Sequence, residues 1–474
     1  MKGYSVRGLR RKYTTYCFLF SIFLLLPCLL FSDPSIRVVR PYPGENLGSP
    51  VGFTFVIGMV SPTNATVQCN GVPCDVSSDG AFIGFAPIRI AKEPVLVEDK
   101  ICDAHFEFFV QSEGKAIKEL VTAISPKSPS ATTNAYELFD TPKTVQLLKD
   151  YFYGLEGPRL GDIVFIPKGA KLLADSGSPK SYACRTEDGL EISITITECE
   201  IRNEKRTDSD RVLEISVPNQ QTIIASSADS QSMSFTNRVV WGAFAQYSKK
   251  SFSLQPRYHL RSDKKPISSE NPFLNLRICI DPGHHPDPGA VGPRGFEERD
   301  SALLISRETA ALLEKEGAHV SFTREEKGAD LRERHAIMHR LKPDLVISIH
   351  NNSVGDGIDP RQKHGTQTFY LYPWSKSLAE SIHQSLIQQL GTTDMGCIRR
   401  NLYVTRFPEC PSVLLEPEYL ILPDQEKKFL DPEYRKLVAS GIVNGVRKFL
   451  EQAQSTEKND HDKVQPAQPP PQKR

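Results

Sequence analysis

Leu276-Arg-Ile-Cys-Ile-Asp-Pro-Gly-His-His285 begins as a short apolar strand and ends in polar side chains that seldom follow a strand by accident. The pattern recurs twice further along the chain. The apolar residues 345–349 lead into His350-Asn-Asn352, and Val413-Leu-Leu415 leads into Glu416. Residues with helical periodicity separate these strands. This alternation predicts a three-layer α/β domain whose active site lies at the carboxyl ends of the strands.

This α/β domain is expected to span 276–451 and to contain a mixed, mostly parallel sheet. The predicted strands are 276–280, 319–322, 345–350, 366–371, 402–405 and 412–416, and the predicted helices are 300–316, 331–341, 376–390 and 432–450. The charged run between Lys327 and Arg334 is interpreted as a solvated helix start. Residues 452–474 are charged and then proline-rich, so they are expected to be a disordered tail.

The polar residues at the strand ends have the chemistry of a metal site. Two histidines and a carboxylate that meet at one sheet edge can provide three zinc ligands and leave the fourth position to water. Gly295-Phe-Glu-Glu-Arg-Asp300, just before a helix, can contribute a carboxylate. A remaining carboxylate is then free to act as a base.

Six motifs occur in the order and approximate spacing of a known family. They are Asp281-Pro-Gly-His284, Asp287-Pro-Gly-Ala-Val-Gly292, Gly295-Phe-Glu-Glu-Arg-Asp300, Thr323-Arg324, Ser348-Ile-His-Asn-Asn352 and Pro411-Ser-Val-Leu-Leu-Glu416. Together they resemble the zinc-dependent N-acetylmuramoyl-L-alanine amidases of bacterial cell walls. The resemblance implies one Zn²⁺ ion bound by His284, Glu298 and His350, with Glu416 as the catalytic residue. It also implies hydrolysis of the amide between N-acetylmuramic acid and L-alanine in peptidoglycan.

The sequence departs from the family pattern at two places. His285 and Pro286 stand where the family usually has two glycines, so His285 is a rival to His284 as a ligand, and Glu297 is a similar rival to Glu298. After the catalytic glutamate the chain reads Pro417-Glu-Tyr-Leu-Ile421 in place of the usual residues, which leaves the substrate preference open.

Three further residues are candidates for supporting the site. Asp281 is either a turn residue or a partner that orients a ligand, and Arg324 is either in a structural ion pair or in contact with substrate. Asn352 is a candidate for the cleft wall.

Other functions remain as alternatives. One is an inactive amidase-like protein that binds peptidoglycan or regulates another hydrolase, and the presence of all three ligand types and Glu416 argues against it. Another is a zinc hydrolase of a different amide. A glycosidase with two carboxylates would not need His284 and His350, so it ranks last.

The residues before this domain are predicted to form β modules. Short alternating runs separated by turn residues predict an immunoglobulin-like module over 33–125, in which Asn70-Gly71 is a hairpin turn. A second β-rich module is expected over 144–261, with linkers over 126–143 and 262–275. These modules are candidates for binding a protein activator or another partner in the cell envelope.

The chain is 474 residues long, which is enough for several domains, and 58 Lys and Arg against 57 Asp and Glu give a net charge of +1. This balance disfavours nucleic acid as a partner. Residues 1–32 contain five basic residues and no acidic one, followed by an apolar run, which is the layout of a secretory leader or an N-terminal anchor. The protein is therefore expected to be exported to the periplasm or cell envelope.

The cysteines offer two candidate disulfides in an exported protein. These are Cys69 with Cys74 and Cys184 with Cys199, and the alternative is that these residues are buried thiols.

Overall fold

The computed structural model describes residues 33–48, 52–125, 137–148, 151–154, 163–166, 171–185, 191–202, 215–216, 241–248, 251–258, 270–372, 375–407 and 410–463. The predicted leader, 1–32, lies outside the described residues. Within the described ranges, no helix combines the length and the apolar character that a membrane span needs.

Eight antiparallel strands form the N-terminal module, which is called the sandwich below. They are β1 (Ser35–Arg40), β2 (Phe53–Ser61), β3 (Thr66–Cys69), β4 (Val72–Val76), β5 (Ala81–Pro87), β6 (Arg89–Val97), β7 (Lys100–Ser112) and β8 (Lys115–Ala123). Their order is β1-β2-β5-β4-β3-β7-β6, and β8 also pairs with β7.

The two halves of this sheet pack on one another around a buried apolar core. Val56, Phe82 and Phe108 belong to this core, and the rings of Phe82 and Phe108 meet edge to face with centroids 6.0 Å apart. Asn70 and Gly71 both have positive φ angles, 51° and 84°, as the hairpin turn between β3 and β4 requires. The all-β prediction for this part of the chain is confirmed.

The second β-rich region contains ten strands in three sheets among the residues that the structure describes. They are β9 (Glu137–Leu147), β10 (Tyr151–Gly154), β11 (Ile163–Ile166), β12 (Lys171–Gly177), β13 (Ser181–Arg185), β14 (Glu191–Thr195), β15 (Cys199–Arg202), β16 (Ile215–Ser216), β17 (Trp241–Ser248) and β18 (Ser251–Tyr258). The largest sheet has the order β14-β13-β12-β9-β15.

The linker predicted over 126–143 requires a correction, because β9 begins at Glu137. The sequence suggested a linker because Ser, Thr and Pro are frequent there. Pro142, however, lies where the register between β9 and β12 shifts, and a residue without an N–H group is tolerated at such an irregularity. Residues 126–136 lie outside the described part of the chain.

The candidate disulfides do not form in this structure. Cys69 and Cys74, which lie across the β3–β4 hairpin, are both thiols, and Cys199 is a thiol as well. Burial raises the pKa of Cys74 to about 12 and that of Cys199 to about 11, which disfavours the reactive thiolate.

The C-terminal domain has a six-stranded sheet with the order β20-β19-β21-β24-β22-β23. The strands are β19 (Arg277–Pro282), β20 (His319–Phe322), β21 (Leu345–Ile349), β22 (Thr366–Tyr370), β23 (Asp394–Arg399) and β24 (Ser412–Glu416). Only β22 and β24 pair antiparallel among these described neighbours, so the sheet is mixed and mostly parallel, as predicted. The helices are α1 (Glu298–Lys315), α2 (Leu331–Leu341), α3 (Lys376–Leu390), α4 (Pro423–Leu430) and α5 (Pro432–Lys463).

The predicted elements of this domain differ from the structure in three places. The strand predicted over 402–405 is a 3-10 helix, Tyr403–Thr405, although its residue types favour a strand. Strand β23 was not predicted, because its Asp and Gly residues are uncommon in strands, and it lies at the sheet edge. The short helix α4 was also missed, although Pro423 at its first turn is a usual start signal.

Both ends of the domain extend beyond the predicted limits. Phe273, inside the predicted linker 262–275, is fully buried in the domain core. Helix α5 continues to Lys463, where the sequence predicted a disordered tail from 452, because no proline or glycine interrupts the chain before that point. Residues 464–474 lie outside the described residues.

Candidate metal centre

His284, Glu298 and His350 lie together at the carboxyl edge of the C-terminal sheet, with their ligand atoms all within 4.8 Å of one another. Nε2 of His284 lies 3.0 Å from Oε1 of Glu298, and Nδ1 of His350 lies 2.9 Å from the same oxygen. Two imidazole nitrogens and one carboxylate are a usual ligand set of catalytic zinc sites, so the residues fit a zinc ion.

The fold brings these three side chains together through adjacent elements. His284 follows β19 and His350 follows β21, and these strands are parallel neighbours whose carboxyl ends meet at one edge. Glu298 is the first residue of α1. Its carboxylate accepts hydrogen bonds from the backbone N–H groups of Ala290 at 2.8 Å and Asn351 at 3.0 Å, which fix its orientation.

Two glycines leave the space that the cluster occupies. A Cβ atom on Gly283 would lie 2.6 Å from the ring of His350. A Cβ atom on Gly289 would lie 2.6 Å from both Glu298 Oε2 and His284 Cδ2, and Gly289 also has a φ of +67°. Larger residues at these two positions would displace the candidate ligands.

Asp287 orients His284 and was not singled out from the sequence. Its Oδ1 lies 2.5 Å from Nδ1 of His284. The imidazole therefore donates its Nδ1 proton to the Asp287 carboxylate and presents Nε2 toward Glu298. A carboxylate behind a histidine ligand is common in zinc sites, where it fixes the tautomer. The short spacing between His284 and Asp287 was the signal that could have identified this pair.

The charges of the cluster stabilise one another. Burial alone would raise the pKa of Glu298, but the hydrogen bonds from His284 and His350 hold it well below its usual range. Burial alone would lower the pKa of His284, but the hydrogen bonds to Glu298 and Asp287 raise it. Glu298 is thus an anion that attracts positive charge to this point.

Glu416 ends β24 and faces the same cavity, which has a volume of about 840 Å³ and is also lined by His284 and His350. Its Oε2 atom is buried and has no hydrogen-bond partner among the described residues. Burial, and then the negative charge of Glu298, raise the pKa of Glu416 well above its usual value. A carboxyl group in this state is suited to exchange a proton with a molecule bound in the cavity.

The two rival ligands lie outside the cluster. His285 lines the cavity, but its ring packs against Gly328, where a Cβ atom would lie 2.0 Å from Nδ1 of His285. Glu297 pairs with Arg299 at 2.5 Å. The structure therefore favours His284 and Glu298 over their sequence neighbours.

Asp281 is neither a turn residue nor a direct partner of a candidate ligand in the described contacts. It is fully buried within β19 and accepts hydrogen bonds from Thr323, from Ser348 at 2.6 Å and from Arg334 at 3.1 Å. Arg334 is only 2% exposed, so it is the exception in a charged run whose other charged members are exposed as predicted. Its guanidinium also donates to Pro282 O at 2.6 Å, so it fixes the loop that presents His284.

Arg324 supports the same loop from another side. Its buried guanidinium donates to the carbonyl oxygens of Pro282, Gly283 and Arg299 at 2.6–2.9 Å, so it contacts backbone rather than the cavity. Asn352 donates to Gln367 at 3.2 Å and is not among the residues that line the cavity.

The fold and the side-chain cluster define an α/β domain with a candidate three-ligand metal site beside a cavity. The profile of the N-acetylmuramoyl-L-alanine amidase family matches residues 278–448. YqiI of Bacillus subtilis, an uncharacterized protein, is 32% identical over 187 residues, which cover 38% of this chain and 88% of YqiI. The chain belongs to the N-acetylmuramoyl-L-alanine amidase family, which confirms the resemblance seen in the six motifs.

Other similar proteins match the same region. The probable cell wall amidase LytH of Staphylococcus epidermidis is 32% identical over 186 residues, which cover 38% of this chain and 61% of LytH, less than two thirds of its length. Among solved structures, the N-acetylmuramoyl-L-alanine amidase AmiC2 of Nostoc punctiforme has 32% identity and a TM-score of 0.35, with coverage of 37% of this chain and 97% of AmiC2.

Proposed function

We propose that this protein is a zinc-dependent N-acetylmuramoyl-L-alanine amidase that hydrolyses the amide bond between N-acetylmuramic acid and L-alanine in peptidoglycan. The observation that supports this most directly is the convergence of His284, Glu298 and His350 on one point of a cavity that Glu416 also lines. His284, Glu298 and His350 would hold the zinc ion.

When bound there, zinc would supply Lewis-acid chemistry, because it acidifies a water molecule toward a pKa of about 7 and stabilises negative charge on the carbonyl oxygen. Glu416 takes the proton of the attacking water as the water oxygen bonds to the amide carbon. The C–N bond then breaks, and Glu416 returns the proton to the leaving nitrogen of L-alanine. The products are a glycan with a free lactyl carboxylate and a peptide with a free amino terminus.

The burial of Glu416 suits this double role. A carboxyl group with a raised pKa is a stronger base when ionised and holds the proton long enough to return it. Its charge is also unfavourable beside Glu298, so acquiring a proton relieves the repulsion between the two groups.

We also propose that the protein is exported to the periplasm or cell envelope, for cell-wall remodelling or cell separation. The basic and apolar residues of 1–32 support export, because they have the layout of a secretory leader or anchor. Peptidoglycan as substrate requires the same location. A protein activator or envelope partner bound by the β modules remains a prediction from the sequence.

The activity can be tested by incubating the full chain with purified peptidoglycan, with added zinc or with a chelator, and identifying the products by mass spectrometry. We expect intact stem peptides with a free L-alanine amine, released only when metal is present. The Glu416→Gln protein should bind zinc like the wild type but release peptides about 10² to 10⁴ times more slowly. Cleavage at a different amide, or equal rates for the two proteins, would contradict the proposal.

A further inference from the structure

Among the residues that the structure describes, the sandwich contacts several segments of the C-terminal domain, and three of these segments adjoin a residue of the candidate metal centre. The three segments are 290–296, which leads into Glu298, 354–361, which follows the strand end at His350, and 419–422, which follows Glu416. All of these contacts lie within one compact unit of the fold, Pro34–Arg474.

The first contact links Asp79 of the sandwich to Arg294 in the loop before Glu298. Nε and Nη2 of Arg294 donate to the Asp79 carboxylate at 2.6–3.0 Å. Nη1 of the same guanidinium donates at 3.0 Å to Glu426, whose carboxylate is completely buried. A buried carboxylate needs such a partner, because its charge has lost its hydration.

Glu426 in turn fixes the backbone of this loop. It accepts hydrogen bonds from the N–H groups of Arg294 at 2.9 Å and Phe296 at 3.1 Å, and a Cβ atom on Gly292 would lie 2.4 Å from its carboxyl carbon. At the start of the loop, Ala290 N donates to the Glu298 carboxylate and Ala290 O accepts from Glu298 N, both at 2.8 Å. Asp79, Arg294 and Glu426 therefore hold the same loop whose first residue, Ala290, is hydrogen-bonded to Glu298.

The second contact is made by Asp356, which follows His350 on the chain and has a side chain that is only 5% exposed. All three groups seen to donate to it belong to the sandwich: Nη2 of Arg40 at 2.8 Å, Oγ1 of Thr54 at 2.5 Å and the backbone N–H of Gly48 at 2.5 Å. Several donors on one buried carboxylate hold this segment in a defined position on the sandwich.

The third contact is apolar. Phe55, Ile57 and Ile83 of strands β2 and β5 pack with three residues of the C-terminal domain, and all six are buried: the three partners are Tyr419, Ile421 and Leu422. Successive residues of a strand point to opposite faces, and Val56 and Phe82 point into the core of the sandwich itself. Strands β2 and β5 are therefore apolar on both faces, as expected for strands that are covered on both sides.

The apolar contact includes the segment at which the sequence departs from the family pattern. Residues 417–421, which differ from the usual sequence after the catalytic glutamate, include two of the residues that pack on the sandwich. The same segment is hydrogen-bonded to Asn352, two residues after His350: Asn352 N donates to Glu418 O at 2.9 Å, and Leu420 N donates to Asn352 O at 3.0 Å.

We infer that the sandwich is a positioning element of the metal centre, in which Asp79, acting through Arg294 and Glu426, sets the loop that presents Glu298 to the metal. This inference rests on the proposed zinc site. It assigns to the N-terminal module an effect on metal affinity, in addition to the predicted binding of a partner.

The test compares two variants that each remove one carboxylate from the sandwich. Asp79→Asn removes the charge that pairs with Arg294, whereas Asp103→Asn, the control, removes a carboxylate that is bonded to Ser125 within the sandwich region. For the full chain and each variant, Zn²⁺ affinity is measured by competition with a chromophoric chelator, and the Co²⁺ absorption spectrum reports the ligand geometry. The melting temperature is recorded without metal.

We expect Asp79→Asn to weaken Zn²⁺ binding about threefold to tenfold, at or below the range known for groups that orient metal ligands, and to alter the Co²⁺ spectrum. Asp103→Asn should leave both unchanged, even if it lowers the melting temperature by a similar amount. Asp79→Glu, which keeps the carboxylate, should recover part of the affinity. If Asp79→Asn fails to fold, Arg294→Lys tests the same contact, because it keeps the charge but loses the two-pronged hydrogen bond.

The His284→Ala protein separates the two proposals. Unchanged Zn²⁺ affinity in His284→Ala would contradict the zinc site itself. If His284→Ala loses Zn²⁺ affinity, the zinc site stands. If Asp79→Asn then has the Zn²⁺ affinity and the Co²⁺ spectrum of the wild type within experimental error, the positioning role of the sandwich is overturned.

Discussion

Glu297 and Glu298 are sequence neighbours, but they have different environments. Glu298 is buried between two histidines, whereas Glu297 is about one third exposed and pairs with Arg299. We expect Glu298→Gln to lower Zn²⁺ affinity more than about 100-fold, because changes to groups that only orient a ligand already cost 10–100-fold. Glu297→Gln is the matched control and should bind zinc normally. The metal content of the two purified variants is measured by atomic emission. Equal metal content in both variants would rule out Glu298 as a ligand.

Asp287 provides a second test at the scale of single residues. Its carboxylate fixes the tautomer of His284, so Asp287→Asn should lower Zn²⁺ affinity about 10–100-fold. Asp300→Asn, which removes an exposed carboxylate from the first turn of α1, should have little effect. Competition titrations of the two proteins give the comparison, and an Asp287→Asn affinity equal to that of Asp300→Asn would show that the contact is not needed.

Among the elements, the loop between β19 and α1 has the strictest steric demands. Gly289 has a positive φ, and its missing Cβ leaves room for Glu298 and His284. We expect Gly289→Ala to destabilise the protein by about 1–3 kcal/mol and to weaken metal binding. Gly355→Ala is the control, because nothing lies within 4 Å of its Cβ position and its φ is not in the left-handed region. Thermal melts with and without zinc provide the measurement, and similar curves for both variants would contradict the steric argument.

The sequence was sufficient to predict the bounds of helices and strands that have a clear hydrophobic pattern. Helices α2 and α3 and strand β24 have the predicted bounds, because apolar periodicity and strand-end residues mark them clearly. Strand β23 and the 3-10 helix Tyr403–Thr405 were not predicted correctly, because tertiary contacts override the local preferences of these residues.

The strand ends pointed to His284 and His350, and the resemblance in the six motifs implied the full ligand set with Glu298. The supporting residues could not be found in this way. Arg334 is in a run of charges, and only the structure shows its guanidinium buried against Pro282 O. The partners Asp79 and Arg294 are 215 residues apart, so no local pattern connects them.

At the scale of the whole molecule, the ion pair between Asp79 and Arg294 predicts a pH dependence. The hydrogen bond from Arg294 is the main cause that lowers the pKa of Asp79 to about 2 from 3.8. A carboxylate with a lowered folded-state pKa stabilises the protein fully above its unfolded pKa, and this stabilisation is lost as the pH falls toward about 2. The difference in melting temperature between wild type and Asp79→Asn should therefore be constant from about pH 7 to pH 5 and shrink between pH 4 and pH 2. If the difference in melting temperature between the two proteins is the same at pH 7 and at pH 2, the ionisation of Asp79 does not contribute to stability.

The apolar face that β2 and β5 present to the C-terminal domain also has a consequence for biosynthesis. A nascent chain emerges from its amino terminus, so the sandwich can complete its own fold before Tyr419, Ile421 and Leu422 have been made. Until then Phe55, Ile57 and Ile83 remain uncovered on the half-finished protein. During this interval the three exposed side chains can aggregate or bind a chaperone, and the interval ends when segment 419–422 has been made and packs on them.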